Sequence, residues 1–328
     1  MHRRESGGIT WEMDDSCLIV GAGMSGLAAA GALRNASWHV TVLDKGRVPG
    51  GRMATRTFDD GRFDYGAQFF TLRDEAFATL ARPWIEAGQA VPWNEKRYRV
   101  PGGMRSIAEA MQEGLDVRLS ERVARVRQTA GGWEAIADSG EKFRAASLLL
   151  TPPVPQSLQL LAASQVELNE GDWALLEGAS YWKCITVLAR IDGQTHAGAD
   201  GFAAPERGPL QWVADNFAKG VSRLPGCLTI HATREFSEEY WERSASETAE
   251  AVLAAAGAYF DGRVRSYYLH RWRYAEPAVQ LPVPFHSVGT LVFAGDVFGG
   301  PRIGGAAASG LAAAAHLLRL RGEQKSSE

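Results

Sequence analysis

The chain has 328 residues, enough for one large or two modest domains with a sizeable core. Hydrophobic residues make up 45% and charged residues 22%, and a formal charge of −3 argues against nucleic acid or an anionic membrane surface as partner. Three cysteines (Cys17, Cys184, Cys227) without a CxxC pair exclude a disulfide framework and fit a reducing compartment.

The opening residues MHRRESGGITWEM lack the apolar run of a secretory signal, and no uninterrupted apolar stretch elsewhere reaches membrane-spanning length. The expectation is a soluble cytoplasmic protein, monomer or weak homodimer, with flexible tails at 1–13 and 323–328. CLIV (17–20) predicts a short buried parallel strand, and residues 25–34 have the alanine and leucine content of a helix. Between them Gly21, Gly23 and Gly26 form G-x-G-x-x-G, with Met24 and Ser25 in the same turn. The first glycine makes the tight turn, the second lets backbone approach a pyrophosphate, and the third lets helix and strand pack closely. Phosphates would sit at the helix N-terminus, where free N–H groups and the dipole favour an anion.

HVTVLDK (39–45) predicts a second strand ending in Asp44, followed by Lys45. A carboxylate there accepts hydrogen bonds from ribose hydroxyls and disfavours a 2′-phosphate, which leaves NAD and FAD. VPGGRMATR (48–56) then supplies Gly50-Gly51-Arg52, with Arg52 expected on the cofactor phosphates. Near the C-terminus LVFAGDVFGG (291–300) predicts a strand ending at Gly295-Asp296, and residues 301–320 a helix opening with Gly304-Gly305-Ala306. An NAD domain needs neither feature. An extended flavin dinucleotide uses both, because its ribityl chain and ring run well beyond the first loop. No cysteine or histidine is identifiable as a covalent anchor, so FAD is expected to be noncovalent.

In the middle, residues 117–127 and 132–150 alternate around GGW and predict strands closing at LLLTPPVP. YWKCITVLARI, GPLQWVADN, CLTIHAT and VRSYYLHRWRYA predict an antiparallel sheet, and SEEYWERSASETAEAVLAAAGAYF (237–260) a helix. The fold class is therefore α/β: a Rossmann-like FAD-binding domain of p-hydroxybenzoate-hydroxylase type with an inserted α+β antiparallel-sheet substrate domain. Cofactor motifs at both ends make the FAD domain discontinuous (14–76, 101–155 and 286–322), with 77–100 and 156–285 as the substrate domain. Histidines without i, i+4 pairs argue against a metal site, and no G-x-S-x-G elbow occurs.

These motifs resemble the flavoprotein amine oxidase superfamily, in which Gly-Gly-Arg follows the first βαβ unit, a C-terminal Gly-Asp holds the ribityl chain, and the last helix points its N-terminus at the flavin pyrimidine edge. A helix N-terminus there stabilises negative charge on the reduced ring. Within the superfamily, DYGAQFFT (64–71) resembles a signature of the renalase family. RVPGGMRSI (99–107), LLLTPPVPQSLQLL (148–161), LTIHATREFSEEYWE (228–242) and HRWRYAEP (270–277) are similar to it in order and spacing. The resemblance covers most of residues 15–320 and extends the cofactor set to Gln68, Phe69, Val123 and Thr151.

It implies hydride transfer from isomeric dihydronicotinamides, the 2- and 6-dihydro forms of NAD(P), to flavin N5, giving NAD(P)+ and, with dioxygen, hydrogen peroxide. It also implies that Gln68, Asn216, His231, Thr233, Arg271 and Trp272 surround the substrate. A dihydropyridine is already a hydride donor, so the protein need only position it. Two departures stand out: the segment between Trp84 and Val100 is shorter than in animal relatives, and Phe69 replaces a tyrosine of some. Along HRWRYA, Trp272 and Tyr274 share one strand face and either wall the flavin or pack the core, while Arg271 and Arg273 take the other. His231 is open to a core reading as well. Two alternatives remain: a small-amine or amino-acid oxidase with an aromatic cage from Trp272 and Tyr274, and a flavin-bearing sensor or interaction protein without turnover.

Overall fold

A computed structural model describes residues 15–325; the expected tail at 1–13 and residues 326–328 lie outside the described residues. β1 (Ser16–Val20) is buried throughout, as a strand covered on both faces must be. The glycine loop leads into α1 (Met24–Asn35), and β2 (His39–Asp44) returns parallel to β1. The hairpin of β3 (Thr55–Phe58) and β4 (Gly61–Asp64) precedes α2 (Glu75–Glu86), whose cap Asp74 accepts from Phe77 N. A short hairpin, β5 (Val91–Pro92) and β6 (Tyr98–Arg99), is followed by α3 (Arg105–Met111) and β7 (Asp116–Leu119). Then come β8 (Val123–Thr129), β9 (Gly132–Ala137), β10 (Lys142–Ala145) and β11 (Ser147–Leu150).

α4 (Val154–Ala163) and α5 (Glu170–Glu177) lead to β12 (Tyr181–Asp192), β13 (Phe202–Ala203), β14 (Leu210–Asp215) and β15 (Cys227–Ala232). α6 (Arg234–Glu239) and α7 (Ala245–Ala255) precede the long β16 (Arg263–Pro277). β17 (His286–Val288), β18 (Leu291–Phe293), α8 (Asp296–Gly299) and α9 (Ile303–Lys325) complete the described chain.

One sheet has the order β17-β18-β11-β1-β2-β7, parallel except for β17, and draws its strands from widely separated stretches of the chain. A second, antiparallel sheet has the order β13-β14-β15-β12-β16. One of its faces, with Ile185, Val187, Val213, Leu228 and Ile230, packs on Phe236, Trp241, Ala249 and Val252 of the α6–α7 region. Its other face turns toward the 64–69 segment.

Four expectations are corrected. The single helix over 237–260 is broken, because Ser244 accepts from Glu247 N and caps a new helix, α7, while Thr233 caps α6. The C-terminal strand stops at Phe293, and Gly295, at φ +155°, turns the chain into α8. Residues 323–325 continue α9. Ile303–Glu323 of that helix is also long and apolar enough to cross a membrane by length and composition, with mean hydropathy 1.3, contrary to the sequence expectation. Ala307, Ala313, Ala314 and Leu317 of α9 are buried in one core with α1, and a Cβ at Gly310 would meet Ser25 O at 2.1 Å.

Candidate functional site

The cradle between β1 and α1 is open where a ligand needs space and closed where the fold needs contact. Gly21 has φ +108° and donates to Leu43 O at 2.8 Å. A Cβ at Gly26 would lie 2.0 Å from Gly21 O, whereas a Cβ at Gly23 would meet nothing within 4 Å. In the first turn of α1, which has no side-chain cap, the Ser25 hydroxyl is buried without a partner. An orphaned hydroxyl beside free helix N–H groups suits phosphate oxygens. Asp44 is fixed by Ala22 N and Gly46 N, each 2.6 Å from one of its oxygens, and keeps further lone pairs. Thr151 Oγ1 donates to Val20 O at 2.8 Å beneath the loop. Lys45 Nζ reaches Gln156 Oε1 at 3.0 Å, and Val123 packs against the core under β1.

At the far end Gly51, at φ +54°, precedes Arg52. The Arg52 guanidinium is taken by Asp296 in a bidentate pair, 2.6 and 2.7 Å, and also donates to Ala275 O at 3.1 Å. The structure thus commits Arg52 to the Asp296 carboxylate rather than leaving it free for phosphates. Beyond α8, a Cβ at Gly305 would clash with Gly300 O at 2.3 Å, so the start of α9 lies against the α8 turn. A cavity of about 200 Å³, lined in part by Thr71, Arg73, Gly300, Gly304 and Gly305, opens there, with Ala306 next in the helix.

Between these ends Asp64 joins the 64–69 segment to the second sheet. It is fully buried; Thr55 Oγ1 and Met104 N donate to its Oδ1, and Lys219 Nζ donates to Oδ2 at 2.7 Å. Its backbone N–H donates to Asn216 Oδ1 at 3.0 Å and its carbonyl accepts from Thr229 Oγ1 at 2.8 Å. Gln68 is consumed by the same network: Nε2 donates to Asp64 O and Gly66 O, and Oε1 accepts from Lys219 Nζ. Asn216 Nδ2 donates to Cys227 O and Thr229 Oγ1. Both amides, grouped with the substrate by resemblance, have their hydrogen-bonding groups engaged within the protein.

Register puts Trp212, His231, Thr186 and His270 in one row across β14, β15, β12 and β16, and directly opposed residues share a face. Phe69 packs on Trp212 with ring centroids 5.5 Å apart. Tyr65 stacks on Trp272 at 5.3 Å, and Trp272 Nε1 donates to Tyr65 O at 3.0 Å. Tyr274 meets Tyr181 edge-on. Arg271 reaches the other side, donating to Arg243 O at 2.8 Å, and Thr233 is spent as a helix cap. The structure therefore does not bring these two to the row that holds His231.

Residues 19–82 match a family described as NAD(P)-binding Rossmann-like domain, and residues 86–318 match the one described as flavin containing amine oxidoreductase. The chain belongs to the flavin-containing amine oxidoreductase family. It is similar to mouse (Mus musculus) renalase, 26% identical over 186 residues, covering 50% of this chain and 54% of that protein. It is also similar to a phytoene desaturase (neurosporene-forming) of Cereibacter sphaeroides, 47% identical over 109 residues, covering 30% of this chain and 20% of the relative. The matched stretches thus span at most about half the length of these curated relatives. A putrescine oxidase structure superposes with TM-score 0.74 at 20% identity, covering 93% of this chain and 99% of that one, which shows a shared fold.

FAD is the cofactor of this flavin-containing amine oxidoreductase, and the open Gly23, the orphaned Ser25 hydroxyl and the held Asp44 fit its dinucleotide. Around the second sheet the electrostatics favour neutral imidazoles. Burial, with the Lys219 ammonium adding to it, pushes His231 down to about 4, and burial followed by Arg56 lowers His270. Burial also pulls Lys219 below the ordinary ammonium range against the opposing attraction of Asp64. Sequence reading assigned no role to Asp64, Lys219, Trp212 or His270. Asp64 and His270 lay inside motifs quoted for resemblance, and Lys219 gave no local signal.

Proposed function

We propose that this chain is an FAD-dependent oxidase that takes a hydride from isomeric dihydronicotinamides, the 2- or 6-dihydro forms of NAD(P). Bound FAD would supply the hydride acceptor and pass the electrons to dioxygen, with the balance dihydronicotinamide + H+ + O2 → nicotinamide+ + H2O2. Gly21, Gly23, Ser25, Asp44, Thr151 and the start of α9 would hold the cofactor. The row Trp212, His231, Thr186 and His270 would orient a planar ring and exclude water, and no proton needs to be removed from a donor of this kind.

The observation that carries the reading is the charge of the sheet face. Asp64 and Asp296 are committed to Lys219 and Arg52, Glu276 at the end of β16 pairs with Arg234, and the aromatic cluster already holds a cation. The Arg97 guanidinium lies 4.8 Å from the Phe69 centroid, 5.2 Å from Phe202 and 5.7 Å from Trp212. A protonated amine would have to draw one of these carboxylates from its present partner and would find its cation–π seat taken, whereas a neutral dihydropyridine asks for neither. The likeness to renalase supports the same choice.

The test is anaerobic mixing of the FAD-loaded protein with 2- and 6-dihydronicotinamide dinucleotides while the oxidised flavin band is followed. Rapid bleaching, reversed by air with peroxide formed, is the expected result. Flavin that stays oxidised with these donors yet bleaches with putrescine or another small amine would overturn the assignment in favour of an amine oxidase.

A further inference from the structure

We propose that Trp212 Nε1 and His231 Nε2 form a two-point clamp for a carboxamide carried by the planar substrate ring. The choice of ring rests on the dihydronicotinamide reading; the clamp itself rests on unsatisfied hydrogen bonds. Trp212 is 8% exposed, and its indole N–H is buried with no acceptor in reach. His231 Nε2 is likewise buried without a partner. A buried indole N–H normally finds an acceptor, and two neighbouring orphans in one place ask for a shared explanation.

The two residues are register partners on β14 and β15, next to a β-bulge between Leu210 and Trp212, and both belong to the face turned toward the 64–69 segment. The indole is held rigidly: Phe202 stacks on it at 4.6 Å and 8° between planes, while Phe69 and Trp93 pack at 5.5 and 6.0 Å. Such a ring can aim one N–H with little entropy left to lose.

The chemistry selects the ligand. An indole N–H is a donor only, so the ligand must offer an acceptor. A neutral imidazole Nε2 is donor or acceptor according to tautomer, and burial together with Lys219 keeps His231 neutral. A carboxamide has a carbonyl for the indole and both an N–H donor and a second lone pair for the imidazole, so it satisfies either tautomer. An ammonium lacks the acceptor, and a hydrocarbon leaves both orphans in place. Arg97 lies over the cluster, 4.8 Å from the Phe69 centroid and 5.7 Å from that of Trp212, without an ion pair among the described residues.

The experiment titrates nicotinamide, 3-methylpyridine and nicotinate into the FAD-loaded protein and reads binding from perturbation of the flavin absorption band. We expect nicotinamide to bind at least about tenfold tighter than 3-methylpyridine, from two hydrogen bonds of ordinary net strength. Trp212→Phe and His231→Phe should each lower the ratio of nicotinamide to 3-methylpyridine affinity, whatever either does to the binding of the bare ring. The clamp is refuted if nicotinamide gives no perturbation or no preference, or if neither variant alters the preference. It is refuted too if nicotinate outbinds nicotinamide tenfold, which would mark an anion site at Arg97. The wild-type ligand series alone decides should a variant misfold. Dihydronicotinamides that fail to bleach the flavin while the carboxamide preference stands would sink the proposed function and keep the clamp; bleaching without the preference does the reverse.

Discussion

Replacing Lys219 by methionine removes the only cation that hydrogen-bonds the Asp64 carboxylate among the described residues. Both side chains are 0% exposed, and the charges lie 2.7 Å apart. At an effective dielectric of about 20 they attract by about 6 kcal/mol, a sum that desolvation of two ions largely offsets. The intact pair therefore adds little net stability, but breaking it is costly. Lys219→Met leaves a buried carboxylate with Thr55 Oγ1 and Met104 N alone, at a cost of roughly 3–5 kcal/mol. With about 2.1 cal/mol/K per residue for unfolding, this corresponds to a fall in Tm of about 4–7 °C. The assay is a double-mutant cycle by thermal or urea unfolding of Lys219→Met, Asp64→Asn and the double variant. The double variant should regain at least half of the loss, because no charge is then stranded. An unchanged Tm in Lys219→Met, or a double variant as unstable as the two singles added together, would refute the reasoning.

Gly26→Ala puts a Cβ 2.0 Å from Gly21 O, so α1 must move off the loop; the flavin-to-protein ratio after gel filtration should fall severalfold, and an unaltered ratio would count against the cradle. Arg52→Lys exchanges a two-point bond to Asp296 for a single one and should weaken FAD retention and lower stability by about 1–2 kcal/mol, whereas retention and stability equal to wild type would show that the fork is dispensable. His231 titrates near 4 in the fold against about 6.5 in the unfolded chain. Between those values the unfolded chain binds the extra proton, so stability falls as pH drops from 6.5 toward 4, with His270 and His316 acting in the same direction. Urea midpoints at a series of pH values should show this slope, and His231→Phe should flatten part of it; an equal slope in the variant would argue against a neutral buried imidazole.

What could be read from sequence was what short spacing encodes. Gly21, Gly23, Gly26 and Asp44 lie within one strand–loop–helix–strand unit, so their geometry follows from local turns alone. The alternation of HRWRYA likewise predicted that Trp272 and Tyr274 would part from Arg271, and the strand keeps that order. Lys219 was invisible because its partner is 155 positions away in the chain. Ser244 was read through because alanine and glutamate on both sides favour helix, while the cap competes only through one side-chain hydrogen bond. The pairing of Trp212 with His231 depends on register between β14 and β15, set by the whole sheet rather than by either strand.

The packing of α9 on α1 also bears on how the chain is made. The apolar face of α1 is completed by residues 303–325, and β11 is flanked on its open side by β18 at 291–293. During vectorial synthesis the first βαβ unit therefore leaves the ribosome with its alanine face uncovered and waits for almost the entire remaining polypeptide before it can close. Long-range closure of this kind is slow and leaves apolar surface exposed in the interval. Production of soluble protein should accordingly depend more on chaperone occupancy and growth temperature than the stability of the finished molecule would suggest.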